Sequence, residues 1–132
     1  MDDITVARSR SALIGSVCSE VEYLAGEGGI PTIHLGPYGL SVFSAWRVAR
    51  DGAILAGNDS EATARQAVAQ LLCGQIVQEV TVNGSFHDLY LRFESGITLE
   101  TFADSGTYEH WNLVGDANDM IIAGPDSLWS SF

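Results

Sequence analysis

Leu13-Ile-Gly-Ser-Val-Cys-Ser-Glu-Val21 decides the fold, because Leu72-Cys-Gly-Gln-Ile-Val-Gln-Glu-Val80 returns to it at an offset of 59 residues. Gly15 and Gly74, Glu20 and Glu79, and Val21 and Val80 fall at matching steps. Farther on, Gly39-Leu-Ser-Val42 answers to Gly96-Ile-Thr-Leu99, and Trp46-Arg-Val48 to Trp111-Asn-Leu113. Ile54-Leu-Ala-Gly-Asn-Asp-Ser60 then matches Ile121-Ile-Ala-Gly-Pro-Asp-Ser127, where longer loops in the second copy have stretched the offset to 67. Four blocks in one order read as an internal duplication. Repeat one spans about residues 2–60, repeat two about 61–127, and a tail of 128–132 follows.

Each copy has the same inner pattern. Before Gly74, the residues Ala64, Ala67, Val68, Leu71 and Leu72 share one face at helical spacing, with Asp59 or Ser60 as N-cap and Gly74 at the C′ position. The equivalent stretch from Asp3 to Ile14 predicts a second helix with a poorer apolar stripe. The period then changes to two. Leu89, Leu91 and Phe93 alternate with Tyr90, Arg92 and Glu94, and Ser95-Gly96 turns the chain into Ile97 and Leu99, which is a hairpin with one buried face. Ile33 and Leu35 pair in the same way with Leu40 and Val42 across Gly36-Pro-Tyr-Gly39. Further strands are expected at Trp46–Val48, Ile54–Ala56, Trp111–Val114 and Met120–Ala123. Neither copy buries its apolar faces alone. The expectation is therefore one α+β domain over 1–132, two diverged helix-plus-antiparallel-strands units packed with pseudo-twofold symmetry, as two sheets or one curved sheet with helices on one side.

Six basic residues against seventeen acidic ones give a net charge of −11. That sign opposes phosphate-backbone binding, which gains its affinity from counterion release around cations. It favours solubility and attracts basic partners. With 46% hydrophobic and 17% charged residues the chain is globular rather than disordered. No apolar run approaches the roughly 18 residues a membrane span needs, and no secretory leader opens the chain, so a cytoplasmic protein is expected. Cys18 and Cys73 each sit in an apolar run and read as free core thiols. Asn58-Asp-Ser60 and Asn83-Gly-Ser85 read as turns.

No catalytic or cofactor motif is present, and no cofactor is expected. His34, His87 and His110 lack any spacing typical of metal ligands, and His87-Asp88 and Glu109-His110 project to opposite strand faces, so no metal site is expected and the histidines read as surface or cross-strand residues. The paired Asp59-Ser60 and Asp126-Ser127 look most like a site, although Asp and Ser after a Gly turn are ordinarily caps. Gly26-Glu-Gly-Gly29 reads as a loop. Trp46 and Trp111, at equivalent strand starts, are core or, in the alternative, line a ligand pocket between the repeats. Trp129 in the tail either folds back or meets another chain. Glu94, Glu100 and Glu109, with Trp129, are the candidate partner-binding residues.

Trp46-Arg-Val-Ala-Arg-Asp-Gly-Ala-Ile-Leu-Ala-Gly57, Leu89-Tyr-Leu-Arg-Phe-Glu-Ser-Gly-Ile-Thr-Leu99 and Tyr108-Glu-His-Trp-Asn-Leu113 with Gly124-Pro125 together resemble a family of small uncharacterised bacterial proteins. The resemblance runs over nearly the whole chain. It implies that some relatives act as cytoplasmic immunity proteins beside secreted toxins, and it carries no functional residue with it. The expected function is a non-enzymatic protein-binding module with an acidic surface, in one form a toxin-immunity protein with a basic partner. The alternative is a small-ligand carrier. A homodimer through strand edges or the tail is compatible with either.

Overall fold

The computed structural model describes residues 3–23, 30–104, 109–116, 119–124 and 128–130. Helix α1 (Asp3–Leu13) leads into β1 (Cys18–Tyr23), β2 (Pro31–Leu35), β3 (Tyr38–Val42), β4 (Ala45–Arg50) and β5 (Ala53–Gly57). Helix α2 (Ala62–Leu72) leads into β6 (Val77–Asn83), β7 (Asp88–Phe93), β8 (Thr98–Phe102), β9 (Trp111–Val114), β10 (Met120–Ala123) and β11 (Leu128–Ser130). The class is α+β and mostly β. All pairings are antiparallel, in a six-stranded sheet ordered β1-β2-β3-β9-β10-β11 and a five-stranded sheet ordered β5-β4-β8-β7-β6. Among the described residues, no helix is long and apolar enough to cross a membrane.

The hairpins form where the alternation places them. Ile33 lies opposite Leu40, and Leu91 opposite Leu99. Asp51-Gly52 turns β4 into β5 with both residues at positive φ, 51° and 78°, the left-handed pair that a two-residue hairpin needs. Each sheet is then completed from the other half of the chain: β4 pairs with β8, and β9 pairs with β3. The inner faces of both sheets feed one core that includes Leu35, Leu40, Trp46, Leu91, Phe93, Leu99, Trp111 and Leu113.

The two helices do not share one side, as the pattern led us to expect. Helix α1 packs on β6 and β11, and α2 on β1 and β5, so each touches an edge strand of both sheets. Open sheet edges are what such a sandwich must cover, which accounts for this placement. The expected stripe on α2 holds for Val68 and Leu72, which are buried, and for Ala64 and Leu71, which pack against the core, whereas Ala67 faces out. The N-cap of α2 is Glu61, without a side-chain cap, instead of Asp59 or Ser60. Ser60 turns backward, its Oγ accepting from Gly57 N at 2.9 Å.

After each helix the chain passes through a left-handed glycine, Gly15 at φ 86° and Gly74 at φ 85°. The two exits then bond to each other: Gly15 N to Val77 O at 2.8 Å, Gly74 N to Cys18 O at 2.7 Å, Cys18 N to Gln75 O at 2.8 Å and Val77 N to Ser16 O at 3.0 Å. Neither thiol is bridged. Cys18 is buried, and desolvation pushes its thiol up to about 11. Cys73 is exposed, a departure from the core position its apolar neighbours suggested, because it caps the C-terminus of α2 just past the buried Leu72.

Candidate functional site

The crossovers between the sheets gather at one end of the molecule and build a cleft of about 250 Å³ lined by Phe43, Trp46, Asn58, Asp59 and Asp104 among others. Backbone groups freed where β3 passes to β4 fix its walls. Asp104 Oδ2 accepts from Ala45 N at 3.2 Å, and Asn58 Oδ1 accepts from Trp46 N at 3.1 Å. Gly57 closes the floor: a Cβ there would stand 2.8 Å from Trp46 O, so only glycine lets the end of β5 approach β4 this closely. Trp46 itself is buried and stacks on Tyr23 with centroids 6.3 Å apart.

Behind this cleft lie two histidines. The carbonyl of His110 accepts from Phe43 N at 2.8 Å and Ser44 N at 3.2 Å, and its Nδ1 lies 3.2 Å from Phe86 O. His87 sits at φ 57° in the β6–β7 turn, and its carbonyl accepts from Trp111 Nε1 at 2.8 Å. Both histidines are buried, which corrects the surface or cross-strand placement expected for them: the turn folds His87 under the β9 tryptophan, and His110 enters the core one residue before β9. His87 Nδ1 has no hydrogen-bond partner among the described residues, and burial lowers the imidazole's pKa from 6.5. His34 alone is a cross-strand histidine, 2.6 Å from Glu22 Oε1 on the outer face of the six-stranded sheet.

Phe43, which lines the cleft, is 40% exposed, and Phe86, in the β6–β7 turn with its carbonyl meeting the His110 ring, is 61% exposed. Asp59 and Asp104 are exposed along the cleft and Glu109 is half-buried beside His110. Among the described residues, no arginine lines the cleft. Arg47 is held by Glu100 Oε2 at 2.5 Å and lies over the Phe102 ring, Arg92 faces Glu79 at 4.0 Å, and Arg65 lies over Tyr23.

The residues singled out by the sequence are dispersed. Glu94 is exposed at the β7–β8 turn, where its N–H donates to Ile76 O at 2.9 Å. Glu100 is engaged with Arg47 in mid-β8. Glu109 adjoins His110, whose ring meets Phe86 near the start of β7, so the length of that six-residue strand, about 20 Å, separates it from Glu94. Trp129 belongs to β11, opposite Ile122, so the tail's backbone folds back onto the sheet. Trp46 and Trp111 do not meet in one cavity: Trp46 borders the cleft, whereas Trp111 is fully buried. Asp126, Ser127 and Gly26–Gly29 lie outside the described residues. Sequence reasoning missed Phe43, Phe86, Asp59 and Asp104 as a group, because they come from four connections whose convergence depends on how the hairpins are shared.

Compared with known protein families, curated proteins and solved structures, the chain matches none.

Proposed function

We propose that this chain is a non-enzymatic binding module that docks a basic protein at the cleft end of the sandwich. The observation that carries the reading is the exposed Phe43 ring beside the carboxylates Asp59 and Asp104 in a cleft that, among the described residues, no arginine lines, with exposed Phe86 and half-buried Glu109 tied to Phe43 through His110. Aromatic anchors inside a charged rim are the usual anatomy of a protein interface. A net charge of −11 adds long-range attraction for a cationic partner. The immunity role implied by the family resemblance is one instance, with a basic toxin as the partner. The small-ligand alternative, a pocket between the repeats lined by Trp46 and Trp111, is less favoured, because Trp46 borders the cleft whereas Trp111 is fully buried away from it.

We infer further that the chain is one domain made by duplication, with residues 2–60 and 61–127 related by a pseudo-twofold axis near the Val17–Ile76 bridge. Support comes from the bonds exchanged between the two helix exits, which fall in pairs at the sequence offset of 59, and from bulges at Cys18/Glu20 and Val77/Glu79. A cytoplasmic setting, where unbridged thiols persist, completes the reading.

The test is capture from the lysate of the source organism at low and high salt, beside an Asp59→Lys/Glu109→Lys variant and a Glu94→Lys control. The expected result is a basic protein recovered in near-stoichiometric yield, released by salt, lost with the double variant and kept with the control. Capture indifferent to Asp59 and Glu109, or no basic protein at all, overturns the reading.

A further inference from the structure

We propose that Glu20, Glu22 and His34 form a binding site for a divalent first-row transition-metal ion, Zn²⁺ foremost, on the outer face of the six-stranded sheet and separate from the docking surface above. One ligand atom from each of the three side chains lies within 4.8 Å of the other two. Nε2 of His34 is already 2.6 Å from Oε1 of Glu22.

A β-bulge creates this set. Cys18 points into the core, and strict alternation would send Glu20 and Glu22 inward behind it. Ser19 is the extra residue, since Cys18 lies opposite Leu35 while Glu20 already lies opposite His34. A slip of one residue exchanges the two faces of a strand. Both carboxylates therefore turn outward beside the imidazole, and Val21 and Tyr23 pack against the core instead.

The five-stranded sheet supplies an internal contrast. Its β6 and β7 carry the same kind of bulge, between Val77 and Glu79, and the corresponding places hold Glu79, Thr81 and Arg92. There Arg92 faces Glu79 at 4.0 Å, an ordinary surface ion pair. The strand geometry alone thus does not demand ligands, and only the six-stranded sheet sets two carboxylates against one imidazole. Carboxylates this close repel each other unless a cation lies between them. A dication held by two carboxylates and a neutral imidazole leaves no net charge.

The donor set also narrows the ion. Ca²⁺ and Mg²⁺ prefer oxygen ligands throughout, whereas an imidazole suits Zn²⁺, Ni²⁺ and Cu²⁺. Three protein ligands leave one tetrahedral position open. Both glutamates are exposed and His34 is partly so, leaving them free to close to ligand bonds of about 2.0–2.2 Å.

Calorimetric titration of the full chain with ZnCl₂, with Co²⁺ absorption as a second readout, tests the site. The expected result is one ion per chain, weakened about tenfold or more by each of Glu20→Gln, Glu22→Gln and His34→Gln, since each removes one of three ligands, with binding retained in Cys73→Ser. Cobalt should give visible ligand-field bands without thiolate charge transfer. All three ligands lie on the surface, so far-UV circular dichroism should be unchanged; if one variant unfolds, the others decide. No binding at about 1 mM Zn²⁺, binding undiminished by His34→Gln, or binding lost in Cys73→Ser overturns the proposal.

Discussion

The indole Nε1 of Trp111 donates to the carbonyl of His87 at 2.8 Å inside the core, which ties the first strand residue of β9 to the turn between β6 and β7 and so joins the two sheets. A buried carbonyl left without its donor costs about 1–3 kcal/mol, apart from any packing loss. Trp111→Phe is therefore expected to lower the midpoint of urea unfolding by at least that equivalent. An unchanged midpoint would show that water replaces the indole there.

His87 links stability to pH. Burial lowers its pKa in the folded state below 6.5, with His110 adding to the shift, so the unfolded chain takes up the proton first as pH falls. The contribution of the neutral imidazole is complete above 6.5 and is lost as pH falls from there through the lower folded value. His87→Asn suits the left-handed backbone at φ 57°. Stability measured from about pH 7.5 to about pH 5 should therefore fall more steeply in the native protein than in this variant. Parallel curves would remove His87 from the account.

Gly57→Ala puts a methyl group 2.8 Å from Trp46 O, against backbone rather than a movable side chain. Overpacking of this kind costs about 1–3 kcal/mol. Thermal unfolding should register it, and Trp46 fluorescence should shift as the cleft floor opens. A neutral substitution would mean that β5 moves away from β4 without penalty.

Gly15→Ala and Gly74→Ala each force a side chain into the left-handed region at φ 86° and 85°, at about 1–2 kcal/mol apiece. Space is not the obstacle, since no atom lies within 4 Å of a Cβ at either position. The double variant should lose less or more than the sum, because the two glycines sit in one hydrogen-bonded crossing. Strict additivity in denaturant unfolding would show the two exits to be independent.

The strands and hairpins were legible because alternation is a local signal: Leu89, Leu91 and Phe93 announce β7 without help from any other part of the chain. What stayed hidden depends on pairing. Nothing along residues 18–23 marks Ser19 as the bulged residue, so the outward turn of Glu20 and Glu22 emerges only from the register with β2. Nothing near Trp46 says that β4 will seek β8, and the grouping of Phe43, Asp59 and Asp104 follows from that choice. His110 reads as exposed beside Glu109, yet its ring is buried because Phe86 arrives from a distant turn. Caps misled for a related reason, since Ser60 bonds Gly57 rather than the helix that follows.

The hairpin β4–β5 completes a sheet begun by β6–β8, and β9–β10 completes one begun by β1–β3. Any second copy of the chain presents the same vacant strand edge to the same hairpin, so two molecules folding together can trade hairpins and recover every native pairing without inventing a contact. Refolding at rising protein concentration should then yield a growing dimer fraction on size exclusion, and a constant monomer would argue that the connections are too short for the trade. The lending of strands between halves makes the boundary of the molecule a matter of chain connectivity, so that an exchanged dimer would use only pairings that a single chain already makes.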